Sequence, residues 1–267
     1  MERFDFKKKF GQNFLTDKNL LTQIVEKSGV MCDDVVVEIG AGKGALTEVL
    51  SKYAKKVYSF EIDSDLFAFL GEKFEGSNVE MIFQDVMKVT DEEINKIVGG
   101  KFKLVANLPY YVTSPILTRF LQNENMTSCT VMVQEEVADR IVAEPKTKDY
   151  GVLTVICQMF GDAKKVLRVN RKMFYPVPNV DSAIVRIDKN NNKTENFADF
   201  ISFVKQAFSM RRKKLSSNLE CKNLKKQDIE KELLNQGFSD MARAEELSIL
   251  DFEKLYNLFY NKMQHDK

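Results

Sequence analysis

From residue 18 to about residue 160, short apolar runs rich in valine and isoleucine alternate with stretches whose apolar residues recur every three or four positions. The first pattern suits strands buried on both faces and the second suits amphipathic helices, so their alternation predicts a parallel sheet with crossover helices. Strands are expected at Val35–Ile39, Val57–Glu61, Val79–Phe83, Leu104–Ala106 and Thr130–Val133. The chain between them is long enough for right-handed crossovers. The rhythm then changes: Lys165–Val169 and Ala183–Ile187 flank the proline-bearing loop Phe174–Pro178 and are expected to close the sheet as an antiparallel pair. The expected class is α/β, a doubly wound and mostly parallel sheet with an antiparallel closing strand.

After Ile187 a polar run of turn formers, residues 188–193, ends the strand signals. Phe197, Phe200, Ile201, Val204 and Phe208 then fall at helical spacing, and Ile249, Phe252, Leu255, Tyr256 and Phe259 repeat the pattern. Two domains follow: residues 1–189 form the α/β catalytic domain and residues 190–267 a small helical one for substrate recognition. The phenylalanine stripes read as core rather than as stacking surface.

Composition narrows the chemistry. The 267 residues are 44% hydrophobic and 30% charged, with no apolar run near the roughly 20 residues that span a bilayer. The basic, aromatic stretch Met1–Gln12 lacks the apolar run and cleavage site of a secretory signal, so the cytoplasm is expected. Cys32, Cys129, Cys157 and Cys221 are widely spaced, and His265 is the sole histidine. That excludes the usual zinc and haem patterns and imidazole-based nucleophilic catalysis, and no metal is expected. Cys129 and Cys157 sit in apolar stretches and read as small buried hydrophobes. Net charge is only +1, yet basic residues clump at Lys7–Lys9, Lys164-Lys165 with Arg168, Arg171-Lys172, Arg211–Lys214 and Lys225-Lys226. Any one clump is a solvated face; together they fit a footprint for phosphates.

The first strand runs into Glu38-Ile39-Gly40-Ala41-Gly42-Lys43-Gly44, where an open α/β sheet binds a nucleotide-like ligand at its carboxyl edge. Gly40, Gly42 and Ala45 also satisfy the dinucleotide fingerprint, so a nicotinamide dehydrogenase stays open at this point. Glu61, ending the second strand, is placed to accept the ribose hydroxyls of an adenosine moiety in either case. Asp85 follows the third strand; it suits the amino group of an adenine and equally suits capping a helix.

Asn107-Leu108-Pro109-Tyr110 after the fourth strand separates the cofactors. An aromatic amine is a poor nucleophile because its lone pair is delocalised into the ring. The Asn107 side-chain oxygen and the Leu108 carbonyl, ahead of a proline-stiffened turn, are suited to accept its two hydrogens and favour the pyramidal form. Tyr110 offers a face for the base, and Phe174 in Phe174-Tyr175-Pro176-Val177-Pro178 offers a second face opposite it. A methylated anilinium-like nitrogen loses its proton to water, so the scarcity of histidine is no obstacle.

With these residues assembled, the chain resembles the KsgA/RsmA family of small-subunit ribosomal RNA adenine dimethyltransferases over nearly its full length. The resemblance rests on Gly11-Gln12-Asn13-Phe14-Leu15, Glu38-Ile39-Gly40, Asn107-Leu108-Pro109-Tyr110, Phe174 to Ser182, Arg211-Arg212-Lys213-Lys214-Leu215, and Arg243 to Ser248. It implies a Rossmann-like class I methyltransferase using S-adenosylmethionine, acting as a monomer on 16S RNA in the small ribosomal subunit or its precursor. By that similarity Asn13 and Leu15 close over the cofactor and Gly40 touches its methionine part. Glu61 holds the ribose, Asp85 binds the adenine and Asn107 faces the target amine, with Arg211, Arg212, Lys213 and Lys214 on the RNA. Ala41 and Lys43 depart from the family's glycine loop, as do Val152 and Asn179 from its basic positions. A related class that methylates large-subunit RNA, and a non-catalytic binding factor on the same fold, are the competing readings.

Overall fold

A computed structural model describes residues 14, 15, 17–109, 112–190 and 196–264. In chain order its elements are β1 (Phe14–Leu15), α1 (Lys18–Ser28), β2 (Val35–Ile39), α2 (Ala45–Tyr53), β3 (Lys56–Phe60), α3 (Phe67–Phe74), β4 (Val79–Ile82), α4 (Asp91–Val98), β5 (Phe102–Asn107), α5 (Thr113–Phe120) and β6 (Met126–Gln134). There follow α6 (Glu135–Ile141), α7 (Val152–Phe160), β7 (Gly161–Val169), β8 (Phe174–Tyr175), β9 (Ser182–Lys189), α8 (Phe197–Ala207), α9 (Leu215–Leu219), α10 (Lys226–Asn235) and α11 (Ile249–Gln264).

Local chemistry sets several of these boundaries. Asp17 accepts from the Leu20 amide at 2.9 Å to start α1, and Gly29 at φ 66 ends it. Thr90 and Glu93 close a reciprocal capping box on α4, which stops at the left-handed Gly99.

Seven strands form the main sheet in the order β4-β3-β2-β5-β6-β9-β7. The pairs from β4 to β6 are parallel, while β9 runs antiparallel to both β6 and β7. Every strand read from the pattern of apolar residues is therefore present, and the closing pair is antiparallel as expected. Alternation along β5 explains the layering. Val105 joins Val36, Val57 and Val79 in one core with Leu21, Leu50 and Leu70 of α1, α2 and α3. Phe102 points the other way and meets Phe120 of α5 edge-on, with ring centroids 6.5 Å apart. Helices thus cover both faces, which is why strands such as Val35-Val36-Val37 need no polar alternation.

β1 and β8 form a separate two-stranded ribbon that pairs Leu15 with Phe174. Nothing in the periodicity signals it.

By compactness the chain divides into two units. One runs to Asp139 and resumes over Phe160–Asn190; the other takes Arg140–Met159 with the residues after Asn190. The division near residue 190 coincides with the polar run, but the expected catalytic span of 1–189 is interrupted. Ala143, Tyr150, Val155 and Met159 lie in the same core as Phe200, Phe203, Leu219 and Phe252. Tyr150 is fully buried there and its hydroxyl donates to the Leu247 carbonyl at 2.7 Å. The stripe residues Phe200, Phe252, Tyr256 and Phe259 are core, as the spacing implies. Cys129 and Cys157 are fully enclosed, and burial pushes the Cys157 thiol up to about 12.

Candidate active site

The carboxyl ends of β2, β3, β4 and β5 converge where the strand order reverses, between β2 and β5. The glycine loop leaves β2 there. Gly40 and Ala41 donate their amides to the Phe60 carbonyl of β3, at 2.8 and 3.3 Å, so the loop is pinned across the sheet edge. Gly40 has φ +80, and a Cβ on it would lie 3.8 Å from the Asn107 carbonyl oxygen. Gly44 has φ +73, and a Cβ there would come within 2.7 Å of the Phe74 ring. The loop is a left-handed turn that side chains would strain and fill. Lys73 of α3 steadies it by donating to the Lys43 and Gly44 carbonyls at 3.2 and 3.3 Å.

Glu61 lies just past β3 and is 5% exposed. Its Oε2 accepts from the Gly42 amide at 2.7 Å, and its Oε1 accepts from the Ile62 and Asp63 amides, each at 2.8 Å. A carboxylate offers about four acceptor positions, so these bonds leave room for one more donor. A ribose taking both of its hydroxyls to Glu61, as the sequence suggests, has to displace one of these three amides.

Asp85 closes the third side. It caps a short 3-10 turn, Val86–Lys88, by accepting from the Met87 amide at 3.0 Å. Its second carboxylate oxygen has no described partner. A pocket of about 380 Å³ opens beside it, lined by Ile62, Phe83, Gln84, Asp85, Lys88 and Val89. Both meanings of Asp85 read from the sequence are thus compatible: one oxygen caps the turn while the other borders the pocket.

Asn107 ends β5 in register with Met132 of β6 and is half-buried. Among the described residues, no hydrogen bond engages its side chain or the Leu108 carbonyl. The Leu108 side chain is buried at 1% exposure, which fixes the turn from beneath. The Pro109 carbonyl accepts from the Val112 amide at 3.1 Å and the Thr113 hydroxyl at 3.3 Å, leading the chain into α5.

Other expected site residues are placed differently. Asn13 and Tyr110 lie outside the described residues. Leu15 is 4% exposed and packs in the core cluster that also contains Phe174. Phe174 is itself only 3% exposed, whereas its neighbour Tyr175 is 64% exposed. Here the Phe174 ring is a core side chain, because pairing with β1 draws it under Leu15, and it presents no open face to a base. In the helical unit, Arg211 pairs with Glu245 at 2.7 Å and donates to the Thr147 carbonyl, and Lys214 lies 3.7 Å from Glu230 and 3.8 Å from Asp240. Arg212 and Lys213 are exposed with no described ion pair. Lys165 and Arg168 are likewise engaged by Glu135, Asp139 and Asp181, while the Arg171 guanidinium donates to the Asn179 carbonyl at 3.0 Å and its main-chain amide to Asp181. Among the described residues no cluster of His, Cys, Asp or Glu has the make-up of a metal site, and no helix is long and apolar enough to cross a membrane.

Glu38 is a residue whose part the sequence did not reveal. It is 1% exposed on β2, beneath the glycine loop, and one of its oxygens accepts from the Thr47 and Ser59 hydroxyls, both at 2.6 Å. It thereby fastens α2 and β3 to β2. Burial pushes its carboxyl up to about 7, against the lowering effect of the two hydroxyls. Its position at the head of the motif is the only sequence signal.

The chain has relatives of known class. The model of the family described as ribosomal RNA adenine dimethylase matches residues 3–261. A protein of Caldanaerobacter subterraneus subsp. tengcongensis named ribosomal RNA small subunit methyltransferase A is 44% identical over 260 residues, covering 95% of this chain and 97% of the relative. Its namesake in Clostridium acetobutylicum is 42% identical, covering 96% and 95%. Among solved structures, a dimethyladenosine transferase from Plasmodium falciparum matches with a TM-score of 0.79 at 27% identity, over 94% of this chain and 98% of that one. The 23S rRNA methyltransferase ErmE matches with a TM-score of 0.70 at 29% identity, over 92% and 98%. The sheet is thus a Rossmann-like methyltransferase fold, and the chain belongs to the ribosomal RNA adenine dimethylase family.

Proposed function

We propose that the protein transfers methyl groups from S-adenosylmethionine to N6 of two adjacent adenosines in a hairpin loop near the 3′ end of 16S RNA. The product is N6,N6-dimethyladenosine, made on the small ribosomal subunit or its precursor by a cytoplasmic monomer. The reading is carried by the approach of the glycine loop to the Asn107 turn: a Cβ on Gly40 would lie 3.8 Å from the Asn107 carbonyl. Cofactor loop and amine-binding turn therefore share one edge of the sheet.

The residues present fit the cofactor. The left-handed Gly40 brings the loop close to the Asn107 turn, and the pocket lined by Ile62, Phe83, Gln84, Asp85, Lys88 and Val89 combines apolar walls with polar side chains, Asp85 among them, as an adenine requires. Glu61 would hold the ribose and Asp85 the adenine amino group. When bound, the cofactor supplies an electrophilic methyl on a sulfonium.

The protein's own part is to prepare the amine. The Asn107 oxygen and the Leu108 carbonyl accept the two N6 hydrogens, hold the nitrogen pyramidal and stabilise the positive charge that grows on it. Tyr110, by its place in the motif, gives the base a stacking face, and Phe174 joins it only once the base has drawn that ring from the core. Water then takes the proton from the methylated nitrogen. Arg212 and Lys213, exposed in the helical unit, are the RNA contacts of the basic stretch.

Methylation of purified small and large subunits in parallel, read as dimethyladenosine, tests the substrate. Incorporation into the small subunit is expected; transfer confined to the large subunit would favour the likeness to ErmE over the likeness to the small-subunit enzymes. Asn107→Ala should lower turnover roughly a hundredfold or more while cofactor affinity by calorimetry stays within about twofold. Undiminished turnover would remove Asn107 from the mechanism.

A further inference from the structure

The turn that carries Asp85 is held from outside by Arg119, a side chain with no part in the chemistry above. Arg119 belongs to α5 and sends both terminal nitrogens onto main-chain carbonyls, Nη1 to Val86 and Nη2 to Val89. Val86 opens the 3-10 turn capped by Asp85, and Val89 follows its end. Val89 also lines the pocket with Asp85. The guanidinium is clamped in turn: Asp91 at the start of α4 lies 3.4 Å away, and the Phe120 ring lies 5.6 Å from its central carbon. Its side chain is only 18% exposed.

Two carbonyls held at once need a planar fork of donors; an ammonium is a point charge and reaches one of them. The helix that carries the fork begins at the turn after Asn107, where the Thr113 hydroxyl donates to the Pro109 carbonyl. A continuous path therefore runs from the Asn107 turn through α5 and Arg119 to the Asp85 turn.

We propose that Arg119 is the positioning residue that aims Asp85 at the adenine amino group of the cofactor, joining the adenine pocket and the target-amine turn in one frame. The inference rests on reading Asp85 as the adenine contact, and its test separates the two. Full-length protein is titrated calorimetrically with S-adenosylhomocysteine and with S-inosylhomocysteine, whose ring carries a carbonyl in place of the amino group. The unaltered protein is expected to prefer the adenosyl ligand. Arg119→Lys should lose about tenfold in affinity for it and far less for the inosyl ligand, so that the preference collapses. Asp85→Ala should collapse it too. If Arg119→Lys keeps the preference while Asp85→Ala loses it, the Arg119 inference is overturned and the Asp85 reading stands. If both keep it, the Asp85 reading fails and the inference falls with it. A uniform loss for both ligands, with a lower melting temperature, would make Arg119 structural only and would also overturn the proposal.

Discussion

Glu38 is neutral when protonated and so escapes most of the cost of burying an ion beneath the glycine loop. With its folded carboxyl at about 7, above the ordinary 4.5, its contribution to stability is fully present below pH 4.5 and drains away as the pH rises towards 7. The folding constant should fall by up to about tenfold per pH unit across that window through this group. Glu38→Gln keeps an acceptor for Thr47 and Ser59 and has no proton to lose, so its profile should be flatter there in denaturant titrations. An unchanged slope would show that other groups set it. The places of Gly40, Glu61, Asp85 and Asn107 in the fold were legible from sequence alone because all four sit at strand ends, where position along the chain implies position in space. The contacts of Glu38 and Arg119 were illegible because their partners, hydroxyls and main-chain carbonyls distant in sequence, leave no pattern. Phe174 was read as open because an aromatic in a proline-rich loop gives no sign of the strand that covers it.

At the level of elements, Gly161 opens β7 in a site with no room for a side chain. A Cβ on it would stand 2.3 Å from the Asp188 carbonyl oxygen, which is backbone and cannot turn aside. Gly161→Ala should therefore push β7 from β9 and cost about 1–3 kcal/mol in thermal unfolding, leaving affinity for S-adenosylhomocysteine intact. Native stability in the variant would mean that the pair yields more freely than its register suggests. The long strands were legible because a buried sheet demands apolar runs of a set length. The ribbon of β1 and β8 was not, since two residues per strand are too few to show a period.

For the molecule as a whole, the polar run after Ile187 marks where the units divide, but no sequence feature shows that Arg140–Met159 joins the later helices. That grouping is a matter of which core Tyr150 and Val155 fill. The same distinction sorts the basic stretch: Arg211 and Lys214 are tied to acidic partners, so reversing their charge should destabilise the helical unit. Reversing Arg212 and Lys213 should spare stability, weaken RNA binding and lower the slope of log affinity against log salt by roughly 0.7 per residue. An unaltered slope would move the RNA elsewhere. The placing of β9 has a consequence for how the chain is made. It is the last strand of the main sheet to be translated, yet it lies inside, and among the described residues β7 pairs with nothing else. A nascent chain that has reached Val169 carries a bare β6 edge and an orphaned strand, both open to strangers. Translation halted there leaves a sticky fragment; only when Lys189 has left the exit tunnel can the edge be sealed.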